Sequence, residues 1–319
     1  MITYLHKQFN NIISQLKNIE FVLVAISGGQ DSICLVKLIE DFNTMYCSIK
    51  KIEYIYIDHQ WRKDSKQQIK HLTNYIDQTP HNLSIYQIPK LTISELEARN
   101  LRYQIIIKHA IENHLSTIMT AHTQTDKIET FFQRLMRGAS LNGTTSLNFK
   151  RQIHNNIQII RPLIYIKRTD INWFCRKFFL PIWSDITNSY YNINRNRLRH
   201  ELIPYLNQYF ISSIEKHINK FIDESNINND YIKQNAIKLY IISRHQTNIA
   251  LNYLTIKPQH PAIQIRILQI FFYHNFNKAL NRQISYQLLH LINKKNNNRK
   301  QIEWYNLIIN IYNNWIYIN

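Results

Sequence analysis

The sequence predicts an α/β fold, with a doubly wound parallel sheet followed by a smaller, mainly helical domain. In the first half of the chain, short apolar runs rich in β-branched residues alternate with segments of helical apolar spacing. Beyond about residue 200, helical spacing dominates. We therefore predict a sheet domain over residues 1–205 and a helical domain over residues 206–319, and a chain of 319 residues is long enough for two cores.

Each predicted strand is a short apolar run between turn signals, which is typical of a buried parallel strand. These runs are residues 21–26, 52–58, 83–89 and 116–122, with 157–164 as a candidate fifth strand. Segments with helical spacing follow them at 33–42, 66–76, about 94–114, 125–137 and 167–180. Ser94 and Glu97 match the capping-box pattern at the start of the third helix. This alternation predicts ligands at the carboxyl ends of the strands.

The C-terminal part of the chain has a different pattern. Residues 201–222 and 261–276 carry helical apolar spacing, and residues 293–300 form a basic loop. Residues 301–319 are predicted to form a closing hairpin. The sequence therefore predicts a small domain of helices with one hairpin at its end.

The charge of the chain is strongly positive and unevenly distributed. The formal net charge is +18, and residues 127–200 hold 13 Lys and Arg against 3 Asp and Glu. Nine of those 13 cations are arginines. Codon bias in an A+T-rich genome enriches lysine, so it does not explain this excess of arginine. We interpret this segment as a surface that faces the phosphates of a nucleic acid, with a merely solvated basic face as the alternative.

Composition excludes several other classes of protein. Apolar residues make up 45% of the chain, which is typical of a globular protein rather than a disordered one. No apolar run reaches membrane-spanning length and the first residues lack a signal-peptide pattern, so we expect no membrane partner. The three cysteines form no C-x-x-C pair, which argues against a zinc ribbon or a disulfide framework and favours a reducing compartment.

A pair of glycines stands between the first predicted strand and the following helix, in a chain that has only four glycines. A glycine-rich turn at a helix N-terminus lets backbone N–H groups converge on an anion, and the helix dipole adds positive charge. A carboxylate beside a bound anion makes sense when a divalent cation lies between them. The alternative is an ordinary strand-to-helix turn. The predicted phosphate-binding residues are Ser27, Gly28, Gly29, Gln30, Asp31 and Ser32.

This S-G-G-x-D-S segment resembles the loop of the PP-loop ATP pyrophosphatases, which cleave ATP between its α and β phosphates and adenylate a substrate oxygen. Further motifs follow in order: I-D-H-Q-W-R at 57–62, E-L-E-A-R-N-L-R-Y at 95–103, A-H-T-Q-T-D-K-I-E-T at 121–130, R-L-M-R-G at 134–138, R-P-L at 161–163, and a block from Trp183 to Pro204. The ordered set resembles the tRNA(Ile)-lysidine synthases over about residues 20–205. Thr125 stands where that family often has a second acidic residue.

The resemblance implies a ligase that joins L-lysine to C2 of the wobble cytidine of tRNA(Ile) with anticodon CAU, using ATP and Mg²⁺. It implies that Asp31 holds Mg²⁺ and that Asp126 contacts the metal or the lysine amine. Glu129 and Arg99 are the further candidate catalytic residues. Predicted contacts to tRNA are Arg102, Arg134, Arg137, Arg195, Arg197 and Arg199. Residue usage is skewed toward Ile, Asn, Lys and Tyr, as an A+T-rich genome produces. With the H-T-Q-T-D variant and the Gln of S-G-G-Q-D-S, which resemble cyanobacterial and plastid members, it favours a protein of the plastid stroma, with a bacterial cytoplasm as the alternative. The chain resembles the short form of the family, and a homodimer is expected from members with small C-terminal domains.

Simpler roles stay open for most of these residues. Asp126 lies in the first turn of its helix, where it could serve only as a cap, and Glu129 could pair with a nearby arginine. The arginines from Arg195 to Arg199 could form a basic linker. The alternative functions are a tRNA thiolase of the same superfamily, a non-catalytic RNA-binding module and a small-molecule synthetase. The missing paired cysteines argue against the thiolase.

Overall fold

The computed structural model describes residues 2–16, 19–60, 64–88, 95–145, 147–154, 156–183, 194–294 and 300–318. The chain divides into two compact units, Met1–Phe221 and Ile222–Asn319. The domain boundary predicted from the sequence, after residue 205, lies before the end of the first unit at Phe221.

A six-stranded sheet forms the centre of the first unit, in the order β3-β2-β1-β4-β6-β5. All neighbouring strands are parallel except the pair of β5 and β6, which is antiparallel. The predicted parallel α/β sheet is therefore confirmed, with an added antiparallel edge strand. Its strands are β1 (Phe21–Ile26), β2 (Lys51–Asp58), β3 (Asn82–Gln87), β4 (Thr117–Thr120), β5 (Lys150–His154) and β6 (Ile157–Ile160).

Helices connect the strands as the apolar spacing predicts. The third predicted helix is described from Glu95 onward, so the Ser94 of its predicted capping box lies outside the described residues. The helices of this unit before residue 180 are α1 (Tyr4–Ser14), α2 (Gln30–Tyr46), α3 (Ser65–Ile76), α4 (Glu95–Glu112), α5 (Gln124–Met136), α6 (Leu141–Thr144) and α7 (Arg168–Lys177).

A helical segment with a π-helical turn carries three of the predicted tRNA-binding arginines. Helix α8 (Asn194–Arg197) leads into the π-turn Leu198–Leu202, which continues into α9 (Ile203–Tyr209). Single π-turns inside helices are frequent at functional sites, because the extra residue re-aims side chains. Helix α10 (Ile214–Ser243) follows and passes from the first unit into the second.

The central strands are buried on both faces. Along β1, Val22, Leu23 and Val24 are inaccessible to solvent, as expected for a parallel strand covered by helices on either side. The candidate fifth strand is β6, which is shorter than predicted because it ends before Pro162, a residue that lacks the N–H needed to continue a ladder.

The second unit combines helices with a sheet of its own. Its further helices are α11 (Tyr253–Ile256), α12 (Pro261–Phe276) and α13 (Arg282–Asn293), and its strands are β7 (Ala250–Asn252), β8 (Lys300–Trp304), β9 (Leu307–Tyr312) and β10 (Trp315–Ile318). The strands form an antiparallel sheet in the order β7-β10-β9-β8. The predicted hairpin is thus a three-stranded meander completed by β7, and Trp304 packs with Phe272 in the core beside it.

The three cysteines are all reduced, and they differ in accessibility. Cys34 on α2 and Cys175 on α7 are buried, and Cys47 is exposed at the C-terminal end of α2. Burial raises the pKa of the Cys34 thiol well above its usual range. Among the described residues, none of the helices is long and apolar enough to span a membrane.

Candidate active site

The predicted site residues follow the carboxyl ends of several neighbouring strands. The loop Ser27–Gly29 follows β1, and His122 and Thr123 follow β4, the parallel neighbour of β1. The chain order along the sheet reverses between these two strands, because β1 is followed by β2 on one side and β4 lies on the other. Such a switch point opens a crevice in which α/β proteins bind ligands.

The loop after β1 is held open by contacts from neighbouring elements. Gly28 has a φ of +74°, and helix α2 begins at Gln30 with Gly29 as its N-cap. The Gln68 side-chain amide donates to the Ser27 carbonyl at 2.7 Å, and the Trp183 backbone N–H donates to the Gly28 carbonyl at 3.0 Å. With these carbonyls engaged, the N–H groups at the start of α2 are available to an anion, and the anion cradle stays a prediction.

Replacement of Gly28 by alanine is expected to destabilise the protein by about 2–4 kcal/mol, through unfavourable backbone strain and a steric clash. A Cβ at this position would lie 2.6 Å from Leu72 Cδ1 and 3.1 Å from Gln68 Nε2, and the φ of +74° disfavours any side chain. Urea denaturation measures the change in the free energy of unfolding.

Gly138 offers a matched control for this substitution. Its φ is +69°, and a Cβ there would meet nothing within 4 Å. Gly138→Ala therefore isolates the backbone cost, about 1 kcal/mol. Equal destabilisation by the two substitutions would show that Leu72 and Gln68 do not constrain the loop.

Asp31, in the first turn of α2, has an unsatisfied carboxylate. Burial raises its pKa to about 6, against the opposing positive charge of Arg168, and the charges of Asp126 and Glu129 add to the increase. Its Oδ1 atom is buried, and none of the residues that the structure describes provides a hydrogen-bond partner for it. An orphaned carboxylate oxygen beside an anion cradle fits Mg²⁺, which favours one or two carboxylates completed by phosphate oxygens and water.

Asp126 and Glu129, on α5, form an ion-pair cluster with two arginines. Arg195 lies on α8, and Arg199 lies on the π-turn that follows it. Arg195 donates to Asp126 Oδ1 and, at 2.5 Å, to Glu129 Oε2. Arg199 donates to Glu129 Oε1 at 2.6 Å and lies 3.7 Å from Asp126 Oδ1. Glu129 is fully buried, and both of its carboxylate oxygens are paired with these arginines.

Asp126 also caps its own helix, as the simpler interpretation of the sequence proposed. Its Oδ2 accepts hydrogen bonds from the Thr123 backbone N–H at 2.7 Å and from the Thr123 hydroxyl at 3.0 Å. Burial alone would raise its pKa, but the positive charge of Arg195, the hydrogen bond from the Thr123 N–H and the charge of Arg199 outweigh that effect and lower it. Asp126 is therefore ionised at neutral pH, with both oxygens engaged, and in this arrangement Asp31 is the better placed of the two predicted metal ligands.

His122 contributes a neutral imidazole to the same crevice. Burial lowers its pKa to about 3, and the nearby Arg161, Arg195 and Arg99 reinforce the decrease against the attraction of Asp126. A hydrogen bond of 2.9 Å joins its Nδ1 atom to the Thr120 hydroxyl. The imidazole is therefore uncharged throughout the neutral range and can take part in hydrogen bonds without adding a positive charge.

The remaining predicted arginines surround the crevice. Arg99 stacks over Tyr103 at 5.7 Å, and Arg102 lowers the pKa of His59 after β2, second to burial. Burial lowers the pKa of Arg134, and the charges of three other arginines lower it further. Those three neighbours are Arg99, Arg137 and Arg151. This crowding of cations makes the region attractive to a polyanion.

Sequence reasoning missed several residues that shape the site. Gln68 and Trp183 hold the loop after β1, and Arg168 lies beside Asp31. Arg161, buried between Asn148 and Tyr103, donates to the Asn148 carbonyl at 2.6 Å. Two of these residues stand in motifs that the sequence analysis quoted, since Arg161 opens R-P-L and Trp183 opens the block that ends at Pro204. Gln68 and Arg168 stand in neither motif. The part of the Trp183–Pro204 block between residues 184 and 193 lies outside the described residues.

The site can hold a nucleotide and a second, cationic substrate. The cradle and Asp31 provide for a phosphate with its cation, and the surrounding arginines can neutralise a leaving phosphate. The carboxylates of Asp126 and Glu129 can orient an amine, provided that their arginines make room for it. In the part of the chain that the structure describes, no three His, Cys, Asp or Glu side chains converge as a metal-binding group.

Comparison with known proteins first defines the class. A family model described as the PP-loop domain matches residues 1–206. These residues include the six-stranded sheet, the loop after β1 with Asp31, and the ion-pair cluster of Asp126 and Glu129. The solved structure of a U34-tRNA thiolase from Methanococcus maripaludis superposes with a TM-score of 0.55 over 69% of this chain and 78% of that one. At 13% identity, that likeness shows the fold alone. The chain thus has the PP-loop architecture of ATP-using enzymes.

Curated relatives define the family. The chain is 56% identical to a chloroplastic tRNA(Ile)-lysidine synthase from Gracilaria tenuistipitata var. liui, over 99% of both chains. It is 39% identical to another from Pyropia yezoensis, over 99% of this chain and 96% of that one. A relative of the same name from Nostoc sp. PCC 7120 is 36% identical, over 68% of this chain and 63% of that protein.

The chain belongs to the tRNA(Ile)-lysidine synthase family. This membership confirms the sequence-based expectation of a tRNA-modifying enzyme that uses ATP. The chloroplastic relatives indicate a plastid location.

Proposed function

We propose that this enzyme joins L-lysine to C2 of the wobble cytidine in tRNA(Ile) with anticodon CAU and works in the plastid stroma. The observation that carries the proposal is the pairing of two centres in one crevice. One is the cradle with the orphaned Asp31 oxygen, and the other is the buried carboxylate pair Asp126 and Glu129. The homodimer stays a prediction.

In the first half-reaction, the C2 oxygen of the cytidine attacks the α-phosphate of ATP, and pyrophosphate leaves. The N–H groups at the start of α2 bind the phosphates, and Arg168 adds positive charge beside Asp31. Asp31 would hold Mg²⁺, which neutralises phosphate charge when it is bound. We assign Arg99 and Arg102 to the phosphates or the cytidine, and the closeness of Arg99 to Arg134 and of Arg102 to His59, after β2, supports this assignment.

In the second half-reaction, the ε-amine of lysine attacks C2, AMP leaves, and the amine loses its extra proton. Asp126 and Glu129 attract the cationic amine, and one of these carboxylates accepts a proton from it, so that the neutral amine can attack. Arg195 and Arg199 hold the two carboxylates in place, so lysine has to share or displace these contacts. The modified base pairs with A, which changes the codon from AUG to AUA.

The test is incubation of the protein with Mg-ATP, radiolabelled lysine and a tRNA(Ile)(CAU) transcript. We expect label to become covalently attached to the anticodon base, with release of AMP and pyrophosphate. The elongator tRNA(Met) transcript is the matched control, because it shares the CAU anticodon.

Three outcomes would contradict the proposal. Equal labelling of tRNA(Met) would exclude the assigned specificity. Incorporation of sulfur rather than lysine would identify a thiolase. Tight binding of tRNA without release of pyrophosphate would identify a non-catalytic RNA-binding module.

A further inference from the structure

A cavity of about 580 Å³ opens beside the carboxylate pair, between the C-terminal half of α5 and the helical segment from α8 to α9. Both walls belong to the first unit. The cavity lies outside the cradle and the ion-pair cluster, so the two half-reactions leave it unused. It is lined by Gln133, Met136, Arg137, Asn194, Arg197, Leu198, Glu201, Leu202 and Tyr205.

The lining combines a buried apolar side with an exposed rim of flat or polarisable side chains. Leu198 is buried, whereas Met136 is 62% and Tyr205 52% exposed. Burial of such large apolar side chains would be favourable, so their exposure around a cavity indicates a ligand site. An aromatic ring and a thioether at the mouth of a cavity suit a ligand with flat faces.

The charged groups around this cavity favour an anion. Arg137 and Arg197 line the cavity. Arg137 is also one of the three arginines whose charges lower the pKa of Arg134, so positive charge is concentrated on this side of α5. Glu201 pairs with Arg197 at 2.9 Å, which orients the guanidinium plane and leaves the carboxylate near the cavity as a hydrogen-bond acceptor. A nucleotide combines a flat base with a phosphate, and unpaired bases stack on tyrosine rings and guanidinium planes.

The position of the cavity relates it to the reaction. Asp126 and Glu129 lie on the same helix as Gln133, Met136 and Arg137. At 1.5 Å of rise per residue, the cavity wall lies roughly 6–16 Å along α5 from the two carboxylates. That separation suits a nucleotide next to the one that reacts.

We propose that this cavity binds an unpaired nucleobase of the RNA substrate, adjacent to the modified cytidine, by stacking on Tyr205 and an arginine of the rim. This inference rests on the proposed function for the identity of the RNA. It assigns Arg137 and Arg197 to the cavity, whereas Arg195 and Arg199 serve the carboxylates. It also gives the enzyme a contact that depends on a base rather than on phosphate charge alone.

The test measures binding of a fluorescent anticodon-arm hairpin of tRNA(Ile)(CAU) by anisotropy, with each loop nucleotide made abasic in turn. In the wild type, an abasic change at one position other than the wobble position should raise Kd by about 5- to 100-fold, the range for loss of one stacked base. In Tyr205→Ala, the intact hairpin should bind more weakly by a similar factor, and the abasic change at that position should cost less than about 2-fold.

Two further variants sharpen the test. Met136→Glu places a negative charge on the exposed rim and should weaken binding of the intact hairpin in the same way. Tyr46→Ala is the matched control, because Tyr46 is 57% exposed at the far end of α2, and its Kd should equal that of the wild type.

The outcomes separate this inference from the proposed function. If Tyr205→Ala binds every hairpin as the wild type does, the cavity does not bind the RNA and the inference is overturned, whether or not lysine is incorporated. If Tyr205→Ala weakens all hairpins equally and keeps the abasic penalty, the residue does not contact a base, which also overturns it. Absence of lysine incorporation by the wild type would overturn the proposed function, while the hairpin measurements still decide whether a base occupies the cavity.

Discussion

Asp31→Asn is expected to reduce lysine incorporation by at least about 100-fold, because it removes the negative charge that would hold the cation of the nucleotide. The effect should appear in kcat/KM for ATP, measured from initial rates at several ATP concentrations. Asp77→Asn is the matched control: Asp77 is exposed at the C-cap of α3, and its loss should leave the rate unchanged within about 2-fold.

The same variant should be at least as stable as the wild type at pH 8. The folded pKa of Asp31 is about 6, above the unfolded value of 3.8, so the folded state binds more protons between these values. Its contribution to the free energy of unfolding is therefore present below pH 4 and lost as the pH rises through 6. A marked fall in the stability of Asp31→Asn at pH 8 would mean that the Asp31 charge supports the fold.

The raised pKa also predicts the pH dependence of the wild-type rate. Because Asp31 has to be ionised to hold a cation, kcat/KM for ATP should fall as the pH drops below about 6. In the pH profile of kcat, the fall on the acidic side should occur at lower pH than in kcat/KM, because a bound cation favours the ionised carboxylate. If the fall in rate at acidic pH persists unchanged in Asp31→Asn, the titration that causes it belongs to another group.

Glu129→Ala is expected to destabilise the protein by about 3–5 kcal/mol, the cost of leaving partly buried charges without their partner. Glu129 is fully buried and accepts hydrogen bonds from both Arg195 and Arg199, so its removal leaves two guanidinium charges to share the single carboxylate of Asp126. Urea denaturation monitored by circular dichroism gives the change in the free energy of unfolding.

Glu201→Ala is the matched control for this loss. Glu201 pairs with Arg197 at 2.9 Å, a distance close to those of the Glu129 pairs, but both side chains are about half exposed. An exposed pair four residues apart on a helix contributes at most about 1 kcal/mol. Equal destabilisation by the two substitutions would show that the Glu129 cluster is as accessible to water as a surface pair.

Much of the fold could be predicted because the hydrophobic pattern is regular where the sheet is buried. The runs at β1, β2 and β4 lie inside the sheet with both faces covered, so they read as largely apolar segments. The edge strand β3 is partly exposed, and its run is correspondingly less apolar. The edge strand β5 escaped prediction because K-R-Q-I-H has no such run and pairs with β6 alone. The three-residue β7 is too short to produce a periodic signal, and its place in the second sheet depends on β10.

The candidate site could be predicted only in its local parts. Gly28 and Gly29 signalled the cradle because they interrupt a chain that is poor in glycine. The sequence identified Asp126, Glu129, Arg195 and Arg199, but not that they meet, because about 70 residues separate the two pairs along the chain. Gln68 carried no signal, since its role depends on how α3 packs against the loop after β1.

The accessibility of the three thiols gives this enzyme a natural attachment point for a reporter. Cys34 and Cys175 are shielded, so a maleimide dye should react selectively with Cys47. Helix α2 has 17 residues, which places a dye there roughly 25 Å from the nucleotide loop. A fluorescent ATP analogue could then be followed by energy transfer in the unmutated enzyme, with the chemistry left undisturbed.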